Sequence, residues 1–565
     1  MRFIKSFQTI TPDRSIKDAI KIITDKDYFG LLVVLDDKKF IGIINDGDIL
    51  RFISNSSENV LDNKIDKFIN RAPITINKKD LQKQDFSSIT NQLIKKFKNK
   101  KHKLRFCPVL ANSTCIGVID FDHSPSFKDY LKESIEIHGL GFVGLTLAAH
   151  LASHGFKTVG IDTNSRLVNS LKKSKIEIFE DGLEGAIKQS VSIDKLNFRT
   201  SPLVRSKSKV KIICVGSSIN KSGKLDDSSI REVCKTISKN IEFGDLIIFR
   251  STVPVGFTRE KCIKWLVSEK ALKPGVDFNV AFCPERTAEG VALRELKTLT
   301  QIVGGLTEEC SKRARNFWIK SSKSVEIVES LEAAELVKLA NNSFRDLIFG
   351  FSNSFSLLCD KYNIDSHDLI KSANHNYPRD LIPSPSPGVG GYCLTKDPLL
   401  YASQNSKLNH SKLSRIGRTA NKEAGDYPKK ILMRYLSREK ARLEDIKVLI
   451  VGLSFKGNPE TNDLRGSDAL RFANFLKEKV TILDILDYVV SEKEISDLGL
   501  GIYKKRSSNI KYDCIFILNN HKNNSDLSIL SSLKPNGLFF DGWKQFSKDQ
   551  IEQNFIYSSM GYITP

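Results

Sequence analysis

The sequence predicts an α/β protein in which two open parallel-sheet domains are joined by a long central helix and preceded by a smaller α+β pair. Two apolar strands, at 134–138 and 446–451, each run into a glycine turn, which is typical of the first strand of such a sheet. Residues 330–359 contain one glycine, no proline and apolar residues at helical spacing. That pattern predicts a helix of about 30 residues, or about 45 Å. The first 125 residues contain two similar pairs of short apolar strands, which indicates an internal repeat.

The composition favours a cytoplasmic protein without a metal site or a membrane span. The 565 residues carry a formal net charge of +21, and no apolar run approaches the roughly 20 residues of a transmembrane helix. Residues 1–6 lack the apolar core of a signal peptide. The ten cysteines are scattered without a CxxC pair, which argues against a disulfide framework and a zinc site. The basic run 95–103 has no nucleic-acid-binding motif beside it, so we expect it to be solvated and expect no nucleic-acid partner.

Residues 1–125 form two copies of one small unit. Each copy contains a hairpin of two apolar strands, at 31–44 in the first and at 106–120 in the second, and the repeat is roughly 60 residues long. Asn45-Asp46-Gly47-Asp48 follows the first hairpin, whereas the second copy has Asp120-Phe121-Asp122. Ligand binding and a purely structural or oligomerising role both stay open for this module.

The segment Gly139-Leu140-Gly141-Phe142-Val143-Gly144 lies between a predicted strand and an apolar helix. In that context the first glycine allows a tight turn, the second lets the backbone reach a pyrophosphate, and the third lets the helix pack on the strand. The following strand ends at Asp162, 18 residues after Gly144. A carboxylate there can accept hydrogen bonds from ribose hydroxyls and would repel a 2′-phosphate. We therefore predict NAD as the cofactor, with contacts from Gly139, Gly141, Phe142, Val143, Gly144 and Asp162. Ser251 and Thr252 follow another predicted strand, at the carboxyl edge where ligands bind in such sheets, and are also expected to contact it.

The loop 387–398 places one thiol after a run of glycines and four residues before a carboxylate. Gly388, Gly390 and Gly391 lack a Cβ, so they can adopt positive φ and let a ligand approach the backbone. Cys393 can be a nucleophile in such a loop, whereas most cysteines are small buried hydrophobic residues. On these residues alone, both interpretations of Cys393 stay open.

Five motifs in a fixed order resemble the UDP-glucose/GDP-mannose dehydrogenase family. They are GLGFVG from Gly139, STVPVG from Ser251, CPERTAEG from Cys283, the helix segment 334–342 and GVGGYCLTKDP from Gly388, with further matches at Phe455, Lys456, Asp463, Arg465 and Ser467. The resemblance covers the chain from residue 133 to its C-terminus. Ser217-Ser218 stands where the family has Thr-Pro, and Ser354 stands where it has Glu. The first 125 residues resemble the CBS-domain pairs that are fused to some sugar-nucleotide enzymes.

The resemblance implies an NAD-dependent nucleotide-sugar 6-dehydrogenase in four parts. These are a CBS-pair regulatory module (1–125), an NAD-binding Rossmann domain (133–325), a central helical dimerisation region with the thiol loop (326–425) and a Rossmann-like UDP-sugar domain (426–565). The implied reaction is a four-electron oxidation of the C6 hydroxyl of a UDP-sugar to a uronate for surface polysaccharide, through a thiohemiacetal and a thioester on Cys393. The Tyr377-Pro378-Arg379 and ERTAEG sequences and Lys396-Asp397 together resemble the branch that acts on UDP-N-acetylhexosamines more than the UDP-glucose branch, although Tyr392 stands where the former often has histidine.

The roles of individual residues follow from the same resemblance. The expected catalytic residues are Cys393 as nucleophile, Lys338 and Asn342 at the oxidised carbon, and Glu285, Thr252 and Asp397 to orient water. The expected substrate contacts are Glu285, Arg286, Lys338, Asn342, Arg379, Gly390, Gly391, Phe455, Lys456 and Arg465. Asp46 and Asp48 are the expected contacts for an adenine nucleotide on the CBS pair. A homodimer or a larger homo-oligomer is also expected.

Two other functions stay open. A two-electron β-hydroxyacid dehydrogenase shares the dinucleotide domain and a Lys-x-x-x-Asn helix, but it needs neither Cys393 nor the segment 456–467. A nucleotide-sensing protein with a lapsed catalytic domain would tolerate Ser217-Ser218 and Ser354. The intact Lys338, Asn342, Cys393 and Asp397 argue against such a lapse.

Overall fold

The computed structural model describes residues 2–4, 7–24, 30–45, 49, 60–77, 106–120, 134–202, 208–219, 225–404, 408–504, 510–547, 549, 551 and 554–564. The chain divides into two compact units, one of Met1–Glu133 with Asn316–Lys320 and one of Ser134–Arg315 with Ser321–Pro565. Among the helices in these described ranges, none is long and apolar enough to cross a membrane.

The first unit contains two small sheets and a capped helix. Its strands are β1 (Arg2–Ile4), β2 (Thr9–Ile10), β3 (Leu31–Asp36), β4 (Lys39–Asn45), β5 (Ile76–Asn77), β6 (Phe106–Ala111) and β7 (Thr114–Asp120), with helix α1 (Ile16–Ile23) after β2. Ser15 and Asp18 cap α1 reciprocally, each side chain accepting a hydrogen bond from the other residue's N–H. In the described residues one sheet has the order β2-β3-β4 and the other β1-β7-β6-β5.

The two hairpins of this unit have the same register. Leu31 pairs with Asn45 as Phe106 pairs with Asp120, and in both hairpins the register shifts after the fourth pair. Equivalent hairpin positions are therefore 75 residues apart (106 − 31), which is longer than the predicted repeat of roughly 60 residues.

The greater length of the repeat arises between the first strand and the hairpin of the second copy. The first strand of each copy pairs with its hairpin at Ile10–Val34 and at Ile76–Val109, so the two spacings are 24 and 33 residues. The second copy therefore has nine more residues between these two strands (33 − 24). The predicted nucleotide contacts Asp46 and Asp48 lie outside the described residues, as does the basic run 95–103.

A mostly parallel sheet forms the first half of the second unit. Its strands are β8 (Ser134–His138), β9 (Lys157–Ile161), β10 (Leu196–Arg199), β11 (Val210–Ile213), β12 (Leu246–Phe249), β13 (Asn279–Phe282), β14 (Gln301–Gly305) and β15 (Val325–Val328). The helices between them are α2 (Phe142–Ser153), α3 (Ser165–Lys172), α4 (Leu183–Ser192), α5 (Ser228–Asn240), α6 (Ile263–Leu266), α7 (Ala292–Thr298) and α8 (Glu308–Trp318). In the described residues the order is β10-β9-β8-β11-β12-β13-β14-β15, and β14 runs antiparallel to β13. The first six strands have the order of a Rossmann domain, whose strand order reverses between β8 and β11.

A long helix connects the two nucleotide-binding-type sheets. Helix α9 (Leu331–Lys361) has 31 residues and begins at Ser330, whose side chain accepts a hydrogen bond from the N–H of Ala333. It is followed by α10 (Ser366–Asn374), α11 (Asp397–Ser403), α12 (Asn409–Gly425) and α13 (Tyr427–Glu439). A Cβ on Gly350 of α9 would lie 2.9 Å from the Cα of Gly417 on α12. The single glycine of α9 therefore marks the point where the two helices cross closely.

The second sheet repeats the Rossmann order. Its strands are β16 (Lys447–Val451), β17 (Ile482–Leu486), β18 (Gly501–Ile502), β19 (Tyr512–Ile517), β20 (Leu533–Asp541), β21 (Ile556–Ser559) and β22 (Tyr562–Ile563), with helices α14 (Asp468–Leu476) and α15 (Glu492–Asp497). The order in the described residues is β18-β17-β16-β19-β20-β21-β22, and β22 runs antiparallel to β21. The predicted fold class, two Rossmann-like domains joined by a long helix after a smaller α+β part, is confirmed.

Candidate active site

A cavity of about 680 Å³ opens at the carboxyl ends of the first sheet. One side is formed by residues that follow β8, β9, β11, β12 and β13, and the other by α9, the thiol loop and the second Rossmann-like domain. Such a volume is within the range of small-molecule sites, roughly 300–1,000 Å³. The predicted site residues that line it are Gly139, Gly141, Phe142, Val143, Asp162, Ser251, Thr252, Glu285, Lys338, Cys393 and Arg465.

The glycine loop at one end of this cavity has the geometry that a dinucleotide requires. Gly139 has φ of +94°, and a Cβ on Gly144 would lie 1.8 Å from the carbonyl oxygen of Gly139. A Cβ on Gly141 would meet none of the described atoms within 4 Å, so this position leaves open space for a ligand. The carboxylate of Asp162 accepts a 2.8 Å hydrogen bond from the N–H of Leu140 and lines the same cavity. The residues present therefore fit NAD, and Asp162 is the candidate for holding its ribose.

The thiol of Cys393 lies on the wall of the same cavity. Cys393 is exposed, whereas the other nine cysteines are buried. Desolvation by the surrounding protein raises the pKa of the Cys393 thiol, and Asp397 also raises it, whereas the ammonium of Lys338 lowers it. Because the side chain is open to water, we expect this desolvation to be weak in the free protein and stronger once a ligand covers the thiol.

Lys338 and Asn342, four residues apart on α9, converge on the thiol loop. The Nδ2 of Asn342 donates a 2.6 Å hydrogen bond to Oδ2 of Asp397, and Nζ of Lys396 donates a 2.5 Å bond to Oδ1 of the same carboxylate. Asp397 is completely buried and Lys338 is 8% exposed. The N–H of Asp397 in turn donates to the carbonyl of Cys393 at 2.8 Å. These contacts connect the long helix to the turn that carries the thiol.

Comparisons with known proteins match this arrangement. Models of the UDP-glucose/GDP-mannose dehydrogenase family match the chain over its NAD binding domain (133–321), central domain (332–423) and UDP binding domain (449–548), and a CBS domain model matches residues 3–55. The UDP-N-acetyl-D-mannosamine dehydrogenase of Campylobacter jejuni is 34% identical over 387 residues, which are 67% of this chain and 90% of the relative. The chain belongs to the UDP-glucose/GDP-mannose dehydrogenase family. It is an NAD-dependent nucleotide-sugar dehydrogenase with an N-terminal CBS domain.

Two solved structures of this dehydrogenase family resemble the chain. The UDP-D-ManNAc dehydrogenase of Pyrococcus horikoshii is 28% identical with a TM-score of 0.67, and the match covers 76% of this chain and 99% of that one. The UDP-N-acetyl-mannosamine dehydrogenase of Staphylococcus aureus is 27% identical with a TM-score of 0.63, covering 76% of this chain and 98% of that one.

Glu285 of this dehydrogenase forms a buried ion pair with Arg250. Its other oxygen accepts hydrogen bonds from the N–H groups of Arg286 and Thr287 at 2.8 and 2.9 Å. Burial alone would raise the pKa of Glu285, but the Arg250 guanidinium holds this pKa below its usual value. Glu285 is therefore a fixed carboxylate at neutral pH, and Arg250, which the sequence analysis did not select, is its counter-ion.

Arg465 reaches the cavity from the second Rossmann-like domain. Its guanidinium donates to the carboxylate of Asp463 at 2.7 Å and lies 4.6 Å from the ring centroid of Tyr392. It also contacts the carboxylate of Glu289 at 3.3 Å, which joins the two Rossmann-like domains. Burial and the neighbouring Asp463 raise the pKa of Glu289 to about 7, although Arg465 and Lys456 lower it. The Nζ of Lys456 donates to the carbonyl of Glu289 at 2.7 Å.

The glycines before the thiol allow close packing inside the protein. A Cβ on Gly390 would lie 2.5 Å from the carbonyl oxygen of Gly466, and a Cβ on Gly391 would lie 2.8 Å from the Phe455 ring. These glycines are therefore needed where the thiol loop contacts the second Rossmann-like domain. The predicted substrate roles of Gly390, Gly391 and Phe455 stay predictions.

Two predicted substrate contacts point elsewhere in this chain. The guanidinium of Arg286 donates to the carbonyl of Thr300 at 2.5 Å. Arg379 is exposed, with its guanidinium 5.4 Å from the ring centroid of Tyr377. Among the described residues, neither arginine lines the cavity.

Sequence reasoning missed a contact between two residues that depart from the family pattern. The hydroxyl of Tyr392 donates a 2.7 Å hydrogen bond to the carbonyl of Ser217, and both residues line the cavity. Nζ of Lys396 lies 3.4 Å from the Ser217 hydroxyl. The two residues are 175 apart in the sequence, so no local signal indicates that they touch.

Proposed function

We propose that the chain is a UDP-N-acetyl-D-mannosamine 6-dehydrogenase that oxidises the C6 hydroxyl to a carboxylate by covalent thiol catalysis. One observation carries the proposal: a single cavity is lined by Gly141 and Asp162 of the dinucleotide loop and by Lys338 and Cys393. The names of the relatives from Campylobacter jejuni and Pyrococcus horikoshii support the choice of sugar. Their substrate is a member of the UDP-N-acetylhexosamine group that the ERTAEG and Tyr377-Pro378-Arg379 sequences favour.

Two NAD molecules, bound one after the other at Gly139, Gly141 and Asp162, would each supply the hydride acceptor for one of two successive oxidations. In the first, the C6 hydroxyl becomes an aldehyde while its proton passes to solvent, and the Lys338 ammonium is the candidate for stabilising the negative charge that develops on the oxygen. Asn342 holds Asp397 in place through their 2.6 Å hydrogen bond, so that α9 and the thiol loop keep their spacing. Lys338 also favours the thiolate of Cys393, since its charge lowers the pKa of that thiol.

The second oxidation needs the thiol. The Cys393 thiolate adds to the aldehyde carbon and gives a thiohemiacetal, whose loss of a hydride leaves a thioester. One water then hydrolyses the thioester, which releases the uronate and the free thiol. Thr252 and Glu285 line the cavity and, with Asp397, are the candidates for orienting this water.

Recognition of the diphosphate is assigned to the second Rossmann-like domain. Arg465 lines the cavity, and its planar guanidinium suits phosphate oxygens. Nζ of Lys456 donates a hydrogen bond to the carbonyl of Glu289, and a bound phosphate could replace this carbonyl as its acceptor. The product would be a UDP-linked uronic acid for surface polysaccharide.

A homodimer and a nucleotide-binding CBS module complete the proposal. Large apolar side chains are exposed along one face of α9, at Leu336, Phe344, Phe351 and Leu358. Large exposed apolar side chains that share one helix face favour an interaction site there. The CBS domain that matches residues 3–55 supports an adenine nucleotide as a regulatory ligand at Asp46 and Asp48.

The test is the amount of NADH formed per UDP-sugar consumed, with UDP-ManNAc, UDP-GlcNAc, UDP-GalNAc and UDP-glucose. We expect about two NADH per sugar with UDP-ManNAc, and loss of uronate formation in Cys393→Ala. Cys359→Ala is the matched control, because Cys359 is a buried thiol on α9 that does not line the cavity in the described residues. One NADH per sugar with full turnover in Cys393→Ala would show that the protein is a two-electron dehydrogenase without covalent catalysis. NAD binding without turnover on any sugar would favour a sensor.

A further inference from the structure

One guanidinium holds both ends of the segment that carries the thiol. Nη1 of Arg418 donates a 2.9 Å hydrogen bond to the carbonyl of Leu394. Nη1 and Nη2 also donate to the carbonyl of Val389, at 3.3 and 3.1 Å. Cys393 lies between these two carbonyls in the sequence. Since the donors of a guanidinium have a fixed planar geometry, Arg418 fixes the two carbonyls relative to each other.

The Arg418 guanidinium is itself anchored to α9. Its Nη1 donates a 2.8 Å hydrogen bond to Oδ1 of Asp346, which is 1% exposed. Nδ2 of Asn421 donates to the same oxygen at 2.8 Å. Burial raises the pKa of Asp346 to about 6, although Arg418 and then Asn421 lower it. Oδ2 of Asp346 has no hydrogen-bond partner among the described residues.

The same network also reaches Ser386, the residue before the thiol loop (387–398). Nδ2 of Asn353 donates a 2.8 Å hydrogen bond to Oδ1 of Asn421. Oδ1 of Asn353 accepts a 2.8 Å hydrogen bond from the N–H of Ser386. The loop is therefore tied to α9 and α12 at Ser386, Val389 and Leu394.

A buried ion pair is weak evidence for stability, because desolvation can exceed the Coulomb gain. The Asp346–Arg418 pair differs from an isolated pair because Arg418 also donates hydrogen bonds to the carbonyls of Val389 and Leu394, on either side of the thiol. We infer that Arg418, anchored by Asp346, is the positioning residue that holds Cys393 where it can attack the C6 aldehyde. This inference rests on the covalent chemistry proposed above. The first oxidation needs no thiol, so a displaced loop should affect the second oxidation selectively.

The test compares Arg418→Gln, Arg418→Lys and Asp346→Asn in the full chain, each checked for folding by circular dichroism. In Arg418→Gln we expect kcat for uronate formation to fall about 100-fold, because small displacements of reacting groups are costly. We expect the KM for NAD to change less than about twofold. NADH per sugar should fall from about two towards one, with aldehyde accumulating, because the second oxidation depends on thiol attack. Arg418→Lys, which keeps the positive charge but lacks the planar guanidinium, should show an intermediate loss of kcat.

A second measurement depends only on the thiol. The pH midpoint for alkylation of Cys393 by iodoacetamide should move upward in Arg418→Gln, because the loop no longer holds the thiol within the field of Lys338. Arg415→Gln is the control, since Arg415 is an exposed arginine on the same helix, and it should behave as wild type. If Arg418→Gln does not fold, Arg418→Lys and Asp346→Asn carry the test.

Wild-type stoichiometry, kcat and alkylation profile in folded Arg418 and Asp346 variants would overturn the inference. Cys393→Ala is measured in parallel. If it retains uronate formation, the proposed function has failed, and the alkylation profile alone then decides whether Arg418 positions the thiol.

Discussion

The amide of Asn342 and the carboxylate of Asp397 share a 2.6 Å hydrogen bond that joins the long helix to the turn carrying the thiol. Lys396 binds the other oxygen of this carboxylate at 2.5 Å, and Asp397 is completely buried. A buried carboxylate that loses a donor cannot replace it with water, so its desolvation is left uncompensated.

Asn342→Ala is therefore expected to lower the free energy of unfolding by about 1–3 kcal/mol. It is also expected to lower kcat, because Asp397 and the rest of the thiol loop lose this hydrogen bond to α9. Urea unfolding and steady-state kinetics measure the two effects. Asn341→Ala is the control, since Asn341 is the exposed neighbour on the same helix. Equal losses in the two variants would contradict the role of the Asn342–Asp397 bond.

The fold was predictable from sequence because its signals are local. Strand, glycine turn, helix and the carboxylate at Asp162 lie within 29 residues of one another (134–162). Gly139 and Gly144 have backbone requirements that few other residues meet, since Gly139 has a φ of +94° and a Cβ on Gly144 would lie 1.8 Å from the carbonyl oxygen of Gly139. The predicted helix 330–359 is close to the observed α9 (Leu331–Lys361), which begins after Ser330 and ends two residues beyond the predicted end.

The contacts that hold the thiol could not be predicted in this way. Asp346 and Arg418 are 72 residues apart, and each looks like an ordinary polar residue of an amphipathic helix. Only the crossing of α9 and α12, set by Gly350 and Gly417, brings the two charges together in a buried position. The packing role of Gly391 was also hidden, because a glycine that admits a ligand and one that admits the Phe455 ring have the same sequence signature.

Lys338→Met is expected to raise the pKa of the Cys393 thiol further. Desolvation and Asp397 raise this pKa, and Lys338 is the larger of the influences that lower it. Alkylation by iodoacetamide requires the thiolate, so its rate rises with pH through the thiol pKa. At a fixed pH below that pKa, the rate should fall about tenfold for each unit by which the pKa rises.

The measurement is the second-order alkylation rate between pH 6 and 10, with labelling at Cys393 verified by mass spectrometry. Lys361→Met, which removes an exposed ammonium from the other end of α9, should leave the profile unchanged. A profile that is the same in Lys338→Met and wild type would show that Lys338 does not act on the thiol.

Arg250→Met is expected to destabilise the protein by about 3–5 kcal/mol at pH 7, because Glu285 would remain as a buried charge without its partner. In the wild type the pKa of Glu285 is held below its usual value, so the pair stabilises the fold above the unfolded pKa. That stabilisation is lost as the pH falls through the folded value. In Arg250→Met, burial should instead raise the pKa of Glu285 above its unfolded value.

The difference in unfolding free energy between Arg250→Met and wild type should therefore shrink as the pH falls from 7 towards 4. Guanidinium unfolding at several pH values measures it. Adding Glu285→Leu to Arg250→Met removes the orphaned charge and should recover part of the stability at pH 7. A difference that does not change with pH would mean that Glu285 is not the titrating partner.

The exposed face of α9 predicts how the protein assembles. Phe344, Phe351 and Leu358 are 66%, 59% and 55% exposed and recur every seven residues along the helix. In a two-fold dimer each such side chain is buried in both subunits, so one substitution places two charges in the interface. Burying an unpaired carboxylate is costly, and Phe351→Glu is therefore expected to sediment as a monomer while wild type sediments as a dimer or larger. Phe243→Glu, at an apolar side chain that is 73% exposed outside this face, should sediment as wild type. A monomeric wild type, or a Phe351→Glu variant that assembles normally, would show that this face is not the interface.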